Sequence, residues 1–377
     1  MAKSVERLYT AMERLYTHGG DIYRNKVRYD FSVNVNPLGM PTKSIEAAKR
    51  AVELSDRYPD YMGEQLCARL SEAEGCRAGD IILGNGAAEL IYSLCQSVKP
   101  KLAIIPSPAF KEYENAASAS GAEVVRVCSN ERDGFAFSAR KLISQIYALR
   151  QEDARLLFLC NPNNPTGRLL DNEDLRRIAW VCEEKSITLL VDECFLPFCD
   201  AEEEHTMKHE LECFKHMCVL RAFTKVYAMP GLRLGYLLTA DSVLREGIRR
   251  QLQPWNTSLP AQMAGLAALE EKDYIMKARR LIAEGREYLS NELSAIGGIS
   301  VYKSDANFIL FSVEGRCMCD RAKPSYLYDR LLERGIMIRK CNDFDGLEFS
   351  RKRQFYRIAV RSRRENEELI KAVKEVL

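Results

Sequence analysis

Between about residues 80 and 240, short apolar runs alternate with longer segments whose apolar positions recur at helical spacing. The runs in "DIILGNG", "KLAIIPS", "AEVVRVC", "ARLLFLC", "ITLLVDECF", "MCVLRAF" and "LRLGYLL" contrast with stretches such as "DNEDLRRIAWVCEEKS". Runs without in/out alternation predict strands buried on both faces, and the amphipathic stretches predict the helices that cover them. The pattern reads as an α/β fold: a large domain built on a mostly parallel, helix-covered sheet.

After about residue 250 the texture changes to a long charged helix pattern, "AALEEKDYIMKARRLIAEGREYLSNELSAIG". It continues as strand-like "ISVYKSDANFILFSV" and "QFYRIAVR" and a final helix "ENEELIKAVKEVL". This lack of strict alternation predicts a smaller α+β domain. The expected organisation is an arm over 1–40 packing with the small domain, a large domain over 41–250, and the small domain over 251–377. The repeated "ERLYT" near the start predicts a docking helix, since two heptads are too short for a coiled coil.

Composition narrows the function classes. A chain of 377 residues exceeds what one core usually holds, and 55 Lys+Arg against 53 Asp+Glu leave no basic face for nucleic acid. A small-molecule partner is expected. The thirteen cysteines are scattered through apolar stretches, the reading for a reducing compartment. The mixed-charge start and the lack of an 18-residue apolar run predict a soluble, cytoplasmic protein without a membrane segment.

In open α/β sheets, ligand groups collect beyond the carboxyl ends of strands, and four predicted ends carry unusual residues. "ILGNGAAELIY" runs a strand through Gly84–Glu89 into a helix start, a place for a phosphate or an ordinary small-residue turn. "LCNPNNPTG" holds two Asn-Pro pairs that stiffen a turn and leave Asn side chains free to donate. "LLVDECF" ends an apolar strand in Asp192 and Glu193, carboxylates that need a cation or donor unless they cap a helix. "RAFTKVYAMPGLRLGY" sets Lys225 among apolar residues, with Arg233 eight positions on. A lysine in such a pocket can be partly neutral and nucleophilic toward an aldehyde. A phosphate cradle, a carboxylate for a ring nitrogen, an Asn for a ring oxygen and an imine-forming lysine are together the needs of pyridoxal 5'-phosphate.

With "GNGAAE", "NPNNPTG", "VDE" and "TKVYAMPGLRLGY" in this order, the chain resembles the fold-type I pyridoxal-phosphate enzymes of the class I/II aminotransferase family over nearly its whole length. The resemblance implies Lys225 as the Schiff-base lysine, Asp192 as the partner of the pyridinium nitrogen and Asn164 as donor to the phenolic oxygen. It also implies Gly86, Ala87, Ala88, Thr224 and Arg233 around the cofactor phosphate, and Phe110 stacked on the ring. Tyr58 matches the tyrosine that reaches the phosphate in a neighbouring subunit, which implies a homodimer with shared sites. Arg357 resembles the arginine that takes a substrate α-carboxylate.

Two residues depart from the family. Phe195 stands where many members carry a tyrosine bonded to the phenolic oxygen, and Ala222 stands where a hydroxyl residue usually meets the phosphate. "THGGDIYR", "YDFSVNVNPLGMP", "DECF" and "GIMIRKCNDFDGL" resemble threonine-phosphate decarboxylases of cobalamin biosynthesis more than histidinol-phosphate aminotransferases. That likeness implies a phosphorylated amino compound as substrate, with His18, Asn36 and Arg339 at its end of the site. Decarboxylation is the leading expectation and transamination the alternative. In "HTMKHELECFKH", His205, His209, Cys213 and His216 have a spacing that could hold a metal, but the flanking charges read as a solvated helix face with no metal.

Overall fold

The computed structural model describes residues 18–149, 155–314, 326–347 and 353–377. The "ERLYT" repeat lies outside these residues. A short strand β1 (Tyr29–Asp30) precedes seven strands that form one sheet: β2 (Ile81–Gly84), β3 (Leu102–Ser107), β4 (Glu123–Cys128), β5 (Arg155–Cys160), β6 (Thr188–Asp192), β7 (Met217–Ala222) and β8 (Gly235–Leu238). Their order is β2-β8-β7-β6-β5-β3-β4, and β8 alone runs antiparallel to its neighbours. The carboxyl ends of β2, β3, β5, β6 and β7 therefore meet along one edge.

The central strands β5, β6 and β7 are apolar along most of their length because each feeds two cores, with Arg155, Thr188, Asp192 and Arg221 as their polar positions. Leu157, Leu159, Leu189, Val191, Met217 and Val219 pack on one face, while Leu156, Phe158, Leu190, Cys218 and Leu220 pack on the other. The same period of two carries past the strand ends. It assigns Asp192 and Ala222 to the second face and Glu193 and Arg221 to the first.

Downstream, β9 (Ile299–Val301), β10 (Phe308–Glu314), β12 (Arg339–Lys340) and β13 (Arg353–Ala359) form an antiparallel sheet in the order β12-β13-β10-β9. Ile309, Phe311 and Val313 of β10 pack with Leu289 and Leu293 of the helix Tyr274–Ser294 and with Leu369 and Val373 of the helix Arg363–Val376. The latter begins in a capping box of Ser362 and Glu365. β1 pairs in parallel with β11 (Ile336–Met337), so the residues around Phe31 share this second core. The helix Leu259–Ala268, although past residue 250, places Ala261, Ala264 and Ala268 in the core of the seven-stranded sheet. The cysteines of the described residues are free, most of them buried, and no described helix is long and apolar enough to cross a membrane.

Candidate active site

The carboxyl ends of the strands converge on a cavity of about 390 Å³. At its floor, β2 passes through Gly86, at φ +81°, into the helix Ala87–Val98. A side chain at Gly86 would collide with the Arg233 guanidinium, and one at Gly235 would come within 2.8 Å of the Ala87 nitrogen, so glycine is what lets these segments close up. The first-turn N–H groups of a helix have no partner within it and carry partial positive charge. Ala87, Ala88, Thr224 and Arg233 all line the cavity at this end.

Lys225 belongs to a short helix, Phe223–Val226, that begins where β7 stops. Its side chain faces the cavity, and burial, with Arg357 and Arg233 nearby, pulls its amine down from 10.5 to about 8, against the opposing pull of Cys194 and Asp192. Asp192 ends β6 with 6% exposure. Burial pushes its carboxyl up, offset by the Cys194 N–H at 2.9 Å, the Tyr113 hydroxyl at 2.6 Å and the charge of Lys225. Phe110 lines the same cavity at the start of the helix Lys111–Ala119 and meets Tyr113 edge-on at 5.6 Å.

Arg357 is brought in by β13. It donates to Asn164 Oδ1 and to the Ser32 carbonyl at 2.9 Å, and its guanidinium lies 5.4 Å from the centre of the Phe308 ring. Phe308 in turn packs edge-on to Phe195 at 5.1 Å, so the phenylalanine that replaces the expected tyrosine supports the arginine from below. Burial lowers Arg357 to about 10, and its buried Nε has no hydrogen-bond partner among the described residues. Ala222 sits in the core with no hydroxyl, and Thr224, next to Lys225, lines the cavity.

The outer end holds His18 and Arg339. His18 Nε2 lies 3.0 Å from Glu112 Oε1, and that ring, followed by Asn115 and Tyr92, holds the Glu112 carboxyl below its ordinary value against the effect of burial. Arg339 bonds Asp343 at 2.6 Å and lies 5.2 Å from the centre of the Phe344 ring. Lys111, Lys225, Arg233, Arg339 and Arg357 line the cavity against Asp192 and Glu112, an excess of positive charge suited to a multiply anionic ligand.

Two sequence expectations, for Asn36 and for the histidine-rich segment, come out differently. Asn36 does not line the cavity. The chain turns after β1, and its amide donates to the Val226 carbonyl at 2.8 Å while its N–H bonds the Lys225 carbonyl at 3.1 Å, so it braces the lysine's backbone. Asn34, two residues earlier, faces the cavity instead. Tyr58, expected to reach the site of a neighbouring subunit, lies away from the cavity of its own chain, 76% exposed and stacked on Trp255 at 4.4 Å. The histidine-rich segment is not one helix face: a turn of helix, Glu202–His205, and a 3-10 turn, Lys208–Glu210, flank Thr206, which bonds buried Glu193. His205 turns to the Leu170 carbonyl and His209 to Glu203. Tyr113, Asn34 and Glu112 were missed in the sequence. For the first and last the signal was their place within one helical turn of Phe110.

Residues 27–373 match the family model for aminotransferase class I and II. The chain is 35% identical to the threonine-phosphate decarboxylase of Salmonella typhimurium over 92% of its own length and 91% of that protein's. It is 33% identical to the histidinol-phosphate aminotransferase of Methanosarcina mazei over 90% and 85% of the two lengths. Among solved structures, the histidinol-phosphate aminotransferase of Clostridium acetobutylicum superposes with a TM-score of 0.82 at 30% identity, covering 92% of this chain and 98% of that one.

Proposed function

The chain belongs to the aminotransferase class I and II family and is a pyridoxal-phosphate-dependent enzyme, and from that premise we propose that it decarboxylates a phosphorylated amino acid of the threonine-phosphate kind. The observation that carries the reading is the second end of the cavity, where His18 and Arg339 stand, each held by a carboxylate. Arg357 would take an α-carboxylate, and His18 and Arg339, held by Glu112 and Asp343, would form a further anion-binding end.

The residues present fit the cofactor. A carboxylate as dry as Asp192 calls for a cationic N–H, which a protonated pyridine nitrogen supplies. The helix start at Ala87 with Thr224 and Arg233 suits the phosphate, Asn164 the phenolic oxygen, and Phe110 a ring face. Once bound, pyridoxal phosphate supplies an aldehyde carbon for an amine and a ring that takes up electrons from a broken Cα bond. The Lys225 amine, lowered to about 8, is a free base in part of the population near neutral pH and can take or return a proton at the substrate. Arg357 would hold the carboxylate, and Phe195 and Phe344 add apolar wall to the cavity.

We further propose a homodimer. Tyr58, Tyr61 and Trp255 form an exposed aromatic patch, and Tyr58 of a second copy would complete the phosphate site. Transamination is the second reading, favoured by the 0.82 TM-score to a histidinol-phosphate aminotransferase. The two readings separate when loaded protein is given threonine phosphate, or histidinol phosphate plus 2-oxoglutarate, with carbon dioxide and glutamate measured. Carbon dioxide from the first without glutamate from the second supports decarboxylation; the reverse overturns it.

A further inference from the structure

Apart from Asp192, Glu112 is the one carboxylate lining the cavity among the described residues, and it stands at the end where an unengaged anion would repel an anionic substrate. Both of its oxygens are engaged. Oε1 accepts from His18 Nε2 at 3.0 Å and from Asn115 Nδ2 at 2.9 Å, and Oε2 accepts from the Tyr92 hydroxyl at 3.1 Å. Tyr92 comes from the helix Ala87–Val98, while Glu112 and Asn115 share the helix Lys111–Ala119, so two rigid elements fix the carboxylate.

His18 has no such support of its own. It lies outside any helix or strand, before Gly19 and Gly20, with its side chain 45% exposed and its ring tilted 47° to Phe110 at 6.2 Å. With Nε2 donating to a carboxylate, Nδ1 is the nitrogen left for a ligand, and the charged ring donates from it. We propose that Glu112 is a positioning residue that holds the His18 ring so that the pair, through Nδ1, recognises the phosphate of the substrate. This rests on the function proposed above and adds to it a residue with no part in the cofactor site.

The test uses pyridoxal-phosphate-loaded protein, with dissociation constants for threonine phosphate and for threonine read from the visible spectrum. Wild type, Glu112→Gln, His18→Ala and the double variant are compared. Glu112→Gln is expected to weaken threonine phosphate about tenfold, leave threonine within about twofold, and add nothing in the His18→Ala background. Equal weakening of both ligands, an undiminished effect without His18, or no effect would overturn the assignment. If Glu112→Gln fails to fold, Tyr92→Phe removes one anchor and is expected to weaken threonine phosphate selectively, about threefold; no selectivity would again overturn it. A wild type that binds threonine as tightly as threonine phosphate would instead sink the phosphorylated-substrate reading, and with it this inference.

Discussion

The Tyr113 hydroxyl donates to Asp192 Oδ2 at 2.6 Å, with both side chains buried and the tyrosine ring stacked on Phe158 at 5.0 Å. Together with the Cys194 N–H, this bond favours the ionised carboxylate in a site whose dryness opposes it. Tyr113→Phe keeps the packing and removes one donor. The expected outcome is a turnover about tenfold lower with the cofactor retained. Steady-state rates and the visible spectrum check this, and wild-type turnover would remove Tyr113 from the account.

Asp192 is assigned to keep a ring nitrogen protonated. Asp192→Ala is expected to bind some cofactor while losing about 100-fold or more in turnover, since an electrostatic partner of the reacting group has gone. The contrary result is a variant with weak cofactor binding but a near-normal rate once saturated.

Lys225 titrates at about 8 in the folded chain instead of 10.5. Between those values the unfolded chain binds more protons, so this group makes stability rise with pH across that window and costs stability below it. Lys225→Met is therefore expected to raise the melting temperature of cofactor-free protein at about pH 7 and to raise it less at about pH 10. Thermal melts at the two pH values decide it; a lower melting temperature at neutral pH would count against a desolvated lysine.

Behind the site, on the other face of β6 and β7, Arg221 bonds Glu193 at 2.8 Å and Glu202 at 2.7 Å and lies 3.4 Å from Glu74. Burial and Glu74 act in opposite directions on Arg221, and the carboxylates win, holding its charge firmly. Arg221→Met leaves Glu193, 0% exposed, without its cation and is expected to cost about 3–5 kcal/mol of folding free energy. Adding Glu193→Gln should recover part of that. Denaturant unfolding measures both, and a loss under about 1 kcal/mol would show the network to be dispensable.

The sheet was legible because strands that feed two cores are apolar along most of their length, as β5, β6 and β7 are. Lys225, Asp192 and Asn164 were legible because each is a polar residue at the end of such a strand. Asn36 was misplaced and Asn34 overlooked because the chain after β1 is irregular, and no period tells which side chain faces inward there. Tyr113 and Glu112 were missed for another reason: a tyrosine and a glutamate in "FKEYENA" look like any amphipathic helix, and only the fold brings Asp192 and His18 to them. The histidine segment shows the converse, where a helical spacing dissolves because Thr206 serves buried Glu193.

The central claim is that Lys225 carries the cofactor. Borohydride reduction of protein loaded with pyridoxal phosphate, followed by peptide mass mapping, tests it directly. The account expects the phosphopyridoxyl mass on the peptide that contains Lys225, and no visible absorbance band or label in Lys225→Ala. A label on another lysine, or an unchanged spectrum in that variant, would contradict it.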